Sequence, residues 1–335
     1  MISVADTVTA MSPRQAVRAR AAALTAPWAV WALLRATGSE RGFPLVPALA
    51  FTPYAAASSV VPLVVAARSR AWGVAVVAAG AAATLGGAVL GRAGRRPTEW
   101  EPGTRRQRLR LATVSMRLGE ADPRAVLDLV TDHRVDVLAL QEVTPEAAMA
   151  LRAAGIGDLL PHSHVIAARD GSPPAAGGAL WSRLPVLERL AVAGRFEQPT
   201  ARLAVPGAPD VEVTAVHTKP PSTSSRAVAR WAADLAELPG PESGVLRVLA
   251  GDFNATLDHG ALRRVLALGY QDVAREVGLA LRATWTPLRS PHPRLTLDHV
   301  LVDPRVGVVS VTLVPVAGSD HRAIVTELVL PPRPG

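Results

Sequence analysis

The sequence contains no cysteine. This absence excludes disulfide bonds, zinc sites with thiolate ligands and cysteine nucleophiles, while the redox compartment stays open. Lysine is nearly absent too: Lys219 is the only one, and arginine supplies the rest of the positive charge behind the net +8. Aromatic residues make up 4% of the chain, whereas surfaces that bind single-stranded nucleic acid usually combine basic with stacking aromatic side chains. The basic composition is therefore weak evidence for nucleic-acid binding.

Charged residues are missing from two long stretches in the first third of the chain, and a shorter stretch before them is also apolar. The three stretches are Ala21–Leu34, Phe43–Ala67 and Ala71–Leu90. A helix needs about 20 apolar residues to cross a bilayer, so the second and third stretches qualify and the first is marginal. We predict that residues 1–91 form an all-α membrane region with two or three transmembrane helices. The alternative, a signal peptide followed by a soluble alanine-rich region, fits less well because neither later stretch alternates apolar with polar residues.

The arginines around these stretches give conflicting indications of orientation. Arginines precede the first stretch and also lie between the second and third, which places the amino terminus and that loop inside and, with three spans, the C-terminal domain outside. Other arginines follow the third stretch and favour the reverse. We predict a multi-pass membrane protein with an extracytoplasmic C-terminal domain. Residues 92–107 are predicted to be a polar linker whose arginines rest on anionic lipid headgroups.

From residue 108 onward, short apolar strands alternate with helices. The predicted strands are Leu109–Met116, Val135–Val143, Gly178–Ser182, Val211–His217, Leu246–Phe253, Leu295–Val302, Val306–Pro315 and Ala323–Leu330. Helices are predicted from Asp122 to about His133, where Asp122 is a suitable cap before Pro123, and over Ser225–Leu238 and His259–Leu268. Strands outnumber helices and several follow one another directly. We therefore predict an α/β fold for residues 108–331, a four-layer α/β sandwich of two mixed β-sheets flanked by helices.

Acidic residues and histidines lie at the ends of five of these strands. They are Glu142, His217, Asp252 with Asn254, Asp298 with His299, and Asp320 with His321. An acid or a histidine at the end of an apolar strand is costly to bury unless it is paired or bound to a metal. Because strand ends in a sandwich converge on one rim, these residues predict a single functional site there.

The order of the segments around these residues resembles the endonuclease/exonuclease/phosphatase superfamily, which has the deoxyribonuclease I-like fold. The resemblance covers essentially all of residues 108–330. Its motifs are LQE (Leu140–Glu142), GGALWSRLPV (Gly177–Val186), VHTKPP (Val216–Pro221), GDFNAT (Gly251–Thr256), LDHVLV (Leu297–Val302) and GSDHRAI (Gly318–Ile324). It implies a hydrolase, a nuclease or a phosphatase, that uses activated water and Mg²⁺, with Mn²⁺ as a possible substitute.

The resemblance also implies a role for each polar residue. Glu142 is expected to be the principal metal ligand, which suits the preference of Mg²⁺ for carboxylate oxygens, with Asp320 near the metal. Asp252 and Asn254 are expected to position the attacking water and the pentacovalent phosphate. His217 is expected to donate to a phosphate oxygen.

His321 is expected to be a second phosphate contact or an acid/base group, oriented by the Asp298 carboxylate. Simpler interpretations remain open. Glu142 is alternatively a solvated strand end, His217 a hydrogen-bonded rim histidine and Asn254 a turn residue. Asp298 alternatively pairs with a local arginine such as Arg294. His299 is interpreted as structural.

One position departs from the family pattern. The first strand of the family normally ends in asparagine, which helps to hold the metal and the phosphate, and Ser115 occupies the matching position. Serine still donates and accepts a hydrogen bond but is shorter and lacks the amide geometry. We therefore expect Ser115 to position substrate, and the alternative is a weakened or inactive family member that acts as a binding or sensory module.

The predicted function is hydrolysis of a phosphodiester or phosphomonoester by a membrane-anchored enzyme. Three substrate classes remain open: nucleic acid, phosphorylated lipid headgroups and small phosphate esters. The lipid bilayer is the one further partner predicted, and no protein partner is known. A transporter is disfavoured because no charged residue lies within the two long apolar stretches to line a pathway.

Overall fold

The computed structural model describes residues 12–93, 106–168, 172–173, 176–287 and 293–333. The chain divides into two compact units. The first comprises the residues up to Ser39 together with Phe51–Leu90, and the second comprises Glu40–Ala50 together with the residues from Gly91 onward. The predicted polar linker, residues 92–107, lies for the most part outside the described residues, and the predicted domain boundaries stay a prediction.

The helices of the described residues are α1 (Pro13–Thr37), α2 (Leu45–Leu49), α3 (Thr52–Ser58), α4 (Val60–Arg68), α5 (Trp72–Leu90), α6 (Pro123–Asp132), α7 (Pro145–Ala153), α8 (Ile156–Leu159), α9 (Ser225–Ala236), α10 (Gly260–Ala267) and α11 (Val273–Glu276). The strands are β1 (Gln107–Ser115), β2 (Val137–Gln141), β3 (His162–Ile166), β4 (Gly178–Ser182), β5 (Val186–Val192), β6 (Gln198–Leu203), β7 (Val211–His217), β8 (Leu246–Asp252), β9 (Gln271–Asp272), β10 (Asp298–Val302), β11 (Gly307–Pro315) and β12 (Arg322–Leu330).

The first unit is helical. Helix α1 starts with a capping box, in which Ser12 and Gln15 each bind the other's backbone N–H. Alanines pack α1 against α4 and α5. Among the described helices, α5 alone is long and apolar enough to cross a membrane, a criterion that some core helices and signal sequences also meet. The stretch predicted as a second span is divided into α2, α3 and α4 instead of one long helix, since its prolines interrupt helical hydrogen bonding.

The second unit contains two six-stranded sheets. In the first sheet the strand order is β11-β12-β1-β2-β4-β3, and in the second it is β5-β6-β7-β8-β10-β9. Each sheet is mixed: β1 and β2 are parallel, as are β7 and β8, and the other neighbours are antiparallel. Antiparallel neighbours that follow one another along the chain explain why strands outnumber helices in this part of the sequence.

Three apolar clusters hold these layers together. One lies between the two sheets and is built from inward-facing residues of β1, β7, β8, β10 and β12. A second packs α6, α7 and α8 on the outer face of the first sheet, and a third packs α9 and α10 on the outer face of the second. The predicted four-layer α/β sandwich is therefore confirmed.

Candidate active site

The second sheet aligns three of the predicted site residues in one row. His217 is opposite Asp252 in the parallel β7–β8 pair, and Asp252 is opposite Asp298 in the antiparallel β8–β10 pair. All three side chains are buried. Neighbouring Cα atoms across a sheet lie about 5 Å apart, so the register alone brings an imidazole and two carboxylates together at one edge.

The first sheet contributes Glu142 from the residue after β2. Glu142 has a left-handed backbone with φ of 56°, so the chain turns sharply at the strand end. Its carboxylate accepts a 2.8 Å hydrogen bond from the backbone N–H of Leu118. This bond is between the loops that follow the parallel strands β1 and β2, and it fixes the direction of the carboxylate.

The edges of the two sheets meet at a cluster of possible metal ligands. Ligand atoms of Glu142, His217 and Asp252 all lie within 4.8 Å of one another. Burial raises the pKa of Glu142, and burial together with the charge of Asp298 raises the pKa of Asp252 to about 8. A bound cation would reverse both effects by favouring the ionised carboxylates. The residues present therefore fit a divalent cation.

His217 also fits this interpretation. Burial, followed by the charge of His321, lowers the pKa of His217 to about 3, so its imidazole is neutral. Its Nδ1 atom is buried without a hydrogen-bond partner among the described residues, and the ring lies against Phe196 with the ring centroids 4.5 Å apart. A buried ring nitrogen without a partner is costly unless a ligand or an ion uses it.

Asp298 and His321 form a buried pair beside this cluster. Nδ1 of His321 lies 2.8 Å from Oδ2 of Asp298. Burial disfavours the charged form of His321, but the Asp298 carboxylate outweighs it and raises the pKa of His321 to about 10. The imidazole is therefore protonated at neutral pH, and Nδ1–H donates to Asp298, which fixes the ring orientation.

Asn254 is directed by Asp252. Its backbone N–H donates to Asp252 Oδ1 at 2.8 Å, and its side-chain amide donates to Asp252 Oδ2 at 3.1 Å and to the carbonyl of Thr218 at 2.8 Å. Asn254 has a φ of 46°. The residue thus joins the loop after β7 to the loop after β8 and holds both carboxylate oxygens of Asp252.

Residues 112–321 match the model of the Endonuclease/Exonuclease/phosphatase family. The chain belongs to this family. The match runs from the middle of β1 to His321 and includes every predicted site residue. The family assignment agrees with the resemblance inferred from the sequence motifs.

Solved structures share the fold of the second unit. An endonuclease/exonuclease/phosphatase from Beutenbergia cavernae DSM 12333 is 20% identical, covers 67% of this chain and 72% of its own length, and has a TM-score of 0.51. A humanized D. rerio TDP2 is 15% identical, with 66% and 98% covered and a TM-score of 0.53. D. rerio TDP2 complexed with single strand DNA product is 14% identical, with 66% and 99% covered and a TM-score of 0.52. No curated protein sequence matches the chain.

Asp320 contacts residues for which the motifs gave no indication. Its Oδ2 accepts a 3.0 Å hydrogen bond from the indole of Trp285, and its Oδ1 lies 3.8 Å from the Arg117 guanidinium. Asp320 lies outside the group of possible ligands formed by the described residues. Trp285 also pairs with His321 in an isolated β-bridge. No spacing or periodicity links Trp285 to Asp320 along the chain, and only the fold brings them together.

Ser115 ends β1 directly opposite Gln141. It is 1% exposed, and its hydroxyl accepts a 3.4 Å hydrogen bond from the backbone N–H of Arg117. Its carbonyl accepts a 2.8 Å bond from Ser319, whose hydroxyl also accepts the N–H of His321. Ser115 thus lies next to the site and supports the loop that carries His321.

His299 has the structural contacts that its predicted role requires. It is buried, with Nδ1 2.7 Å from Asp272 Oδ2 and Nε2 2.9 Å from the carbonyl of Ala255. Both contacts are with acceptors, so the ring donates twice as an imidazolium. His299 therefore holds the backbone next to Asn254.

Proposed function

We propose that the chain is a metal-dependent phosphoesterase that hydrolyses phosphate esters with activated water. The observation that carries the proposal is the convergence of Glu142, His217 and Asp252 within 4.8 Å, beside the buried pair of Asp298 and His321. A carboxylate cluster next to a fixed imidazolium matches a phosphate group, because one part favours a cation and the other an anion.

Glu142 would hold the divalent cation, with Asp252 and His217 beside it. We propose Mg²⁺ because the two carboxylates are hard oxygen donors, and Mn²⁺ is a possible substitute. When bound, the cation would polarise a phosphoryl oxygen and offset the charge that develops on it.

The protein side chains bind the phosphate group and orient the attacking water. Protonated His321 donates a hydrogen bond to a phosphate oxygen, and Asp298 keeps its ring in place. Neutral His217 offers a second donor to the phosphate. Asp252, held at both oxygens by Asn254, accepts a hydrogen bond from the attacking water and orients it. Positioning of this kind supplies much of the rate enhancement in phosphate ester hydrolysis.

The substrate class and the membrane anchor are part of the proposal. The complex of D. rerio TDP2 with single strand DNA product favours a phosphodiester, whereas an anchor favours a lipid headgroup by proximity; a small phosphate ester fits the site equally. Helix α5, which lies within the uncharged stretch Ala71–Leu90, supports the anchor. The arginines before the first apolar stretch and those between the second and third favour a position outside the cytoplasm for the second unit, here called the catalytic unit, whereas the arginines after the third favour the reverse; we propose the outside position.

A non-catalytic binding or sensory module is the second candidate. The observation that favours it is Ser115, because its hydroxyl is directed to Arg117 and offers less reach to a metal or phosphate than an asparagine amide.

Hydrolysis of bis-p-nitrophenyl phosphate by the full-length chain separates the two candidates. We expect Mg²⁺-dependent turnover that EDTA removes, and roughly a 100-fold or greater loss in Glu142→Ala and in His321→Ala. His133→Leu, a change at the end of α6 away from the site motifs, serves as the matched control and should keep the wild-type rate. Equal, negligible hydrolysis by the wild type and both site variants, all of them folded, would instead identify a binding module.

A further inference from the structure

A segment from the first third of the chain is part of the catalytic unit, which is the second unit and carries the candidate active site. Residues Glu40–Ala50, here called the docked segment, belong to the same compact unit as the two sheets. Val46 of this segment is buried in the apolar cluster of α9 and α10. The backbone N–H of Phe43 donates a 3.0 Å hydrogen bond to the Ser225 hydroxyl at the start of α9.

The docked segment contacts the end of the loop that carries Asn254. Residues 253–259 are here called the catalytic loop. At its end, Nε2 of His259 lies 3.0 Å from the carbonyl of Val46, and a Glu40 carboxylate oxygen accepts the N–H of Gly260. Gly260 is the first residue of α10, and its N-cap residue, His259, gives no side-chain cap. Glu40 therefore caps α10 from another part of the chain, where a negative charge is favourable.

His259 connects the docked segment to the catalytic loop through hydrogen bonds at both of its ring nitrogens. Its Nδ1 accepts the backbone N–H of Thr256 at 2.8 Å, so Nε2 carries the proton and donates to Val46. Burial lowers the pKa of His259, which agrees with this neutral form. The ring is 1% exposed and lies edge-on to Trp231, with the ring centroids 5.2 Å apart. One hydrogen-bonded relay thus joins the docked segment to the residue two positions after Asn254.

An ion pair also connects the catalytic loop to a residue that precedes the family match. Arg92, just after α5, donates two hydrogen bonds to the carboxylate of Asp258, one of them 2.9 Å long. Asp258 is fully buried and Arg92 is 6% exposed. A buried bidentate pair has little freedom of orientation. The catalytic loop is therefore held at adjacent residues by two stretches that lie outside the family match, residues 40–50 and Arg92.

We propose that His259 is a positioning residue for Asn254 and Asp252, and that the docked segment is the support against which it acts. The inference rests on the proposed phosphoesterase function. Misplacement of the loop moves the Asn254 amide away from the Asp252 carboxylate, which then no longer orients the attacking water. Substrate binding through His321 and His217 does not depend on this relay, so turnover falls and affinity stays.

The test uses the full-length chain in detergent, with bis-p-nitrophenyl phosphate as substrate. His259→Leu removes the hydrogen bonds of the ring to Thr256 and Val46, and we expect kcat to fall on the order of 10-fold to 100-fold with KM changed less than about twofold. His259→Gln keeps an acceptor and a donor and should recover most of the loss. Glu40→Ala, a milder change, should lower kcat on the order of threefold. His133→Leu and Glu237→Ala are the matched controls.

Hydrogen–deuterium exchange of residues 253–258 gives a readout that does not depend on activity. We expect faster exchange in His259→Leu and Glu40→Ala than in the wild type, and no change in the controls. If His259→Leu does not fold, Glu40→Ala and His259→Gln carry the test. If the wild type shows no hydrolysis that depends on Glu142, the proposed function is wrong, and hydrogen–deuterium exchange alone then tests the positioning role of His259. If the wild type is active, folded variants with wild-type kcat overturn the inference. If the wild type is inactive, folded variants with unchanged exchange overturn it.

Discussion

Glu142 and Asn254 both have left-handed backbone conformations, with φ of 56° and 46°. Such conformations cost about 1–3 kcal/mol each for residues other than glycine and persist where the surrounding structure fixes them. Here the N–H of Leu118 holds the Glu142 carboxylate, and the Asp252 carboxylate and the Thr218 carbonyl hold Asn254. The sequence indicates which residues end the strands, but it does not show that the chain turns back on itself at these two.

Removal of the Asp298 charge should shift the pH dependence of hydrolysis. The carboxylate favours the imidazolium of His321, so Asp298→Asn lowers the pKa of His321 from its value of about 10. If protonated His321 is the active form, the alkaline limb of the kcat/KM profile moves to lower pH by about one unit or more. Profiles between pH 6 and 10.5 measure this.

The matched control is Asp272→Asn, which makes the same change in a carboxylate that contacts His299 rather than His321. The alkaline limb of the kcat/KM profile of this variant should lie at the same pH as that of the wild type. An unshifted limb in Asp298→Asn would show that His321 does not act in its protonated form.

At the scale of secondary-structure elements, β7 and β8, which carry His217 and Asp252, are among the strands that the sequence predicts most closely. The predicted and observed bounds agree for β4 and β7, and β8 differs by one residue, because these strands are almost wholly buried and rich in apolar residues. Strands β3, β5, β6 and β9 were missed. Strand β9 has only two residues, and β5 is largely exposed, so that its pattern has little of the apolar periodicity that marks a strand. Strand β10 begins at Asp298, three residues later than predicted.

The pair of Asp272 and His299 should stabilise the junction between β9, β10 and the catalytic loop in a pH-dependent way. Burial disfavours the charged His299, but Asp272 outweighs it and raises the pKa of His299. A raised folded-state pKa stabilises the fold fully below the ordinary histidine pKa, and this contribution disappears as the pH rises through the folded-state value. Asp272→Asn should lower stability at pH 6 by roughly 3 kcal/mol, or roughly 10 °C in melting temperature, and by less at pH 9.

Thermal unfolding of the wild type and variant at several pH values measures this difference. Asp122→Asn is a suitable control, because Asp122 caps α6 as Asp272 caps α11 and has no histidine contact among the described residues. Its effect should not change between pH 6 and 9. A constant difference for Asp272→Asn would show that His299 is neutral in the folded state.

At the scale of the whole molecule, the α/β sandwich and the family were predictable, and the docked segment was not. The motifs recur in a fixed order over one domain length, so they identify the fold without any knowledge of contacts. The docked segment, in contrast, lies mostly within the uncharged stretch Phe43–Ala67, which the sequence predicts to be a membrane span. Its membership of the catalytic unit depends on contacts with residues about 180 to 220 positions away, which no local pattern reveals.

The proposed orientation can be tested because the chain has no cysteine. Single cysteines at Ser39, Ser69 and Leu187 report the residue before the docked segment, the turn between α4 and α5, and the exposed strand β5. With a membrane-impermeant maleimide on intact cells, we expect labelling at residues 39 and 187 and none at 69 until the cells are lysed. Labelling of intact cells at residue 69 alone would place the catalytic unit inside. Labelling at only one of residues 39 and 187 would place these two residues on opposite sides of the membrane, which would contradict the assignment of residues 40–50 to the catalytic unit.

The docked segment restricts how the chain can be threaded through a bilayer. The polypeptide leaves the catalytic unit after Ala50 and re-enters it at Gly91. If the chain is anchored in a bilayer as proposed, the intervening stretch begins and ends on one face of the membrane and crosses it an even number of times. Helix α5 cannot be a lone crossing: if it passes through, α3 and α4 must make the return path, although neither has the length and composition of a span by itself.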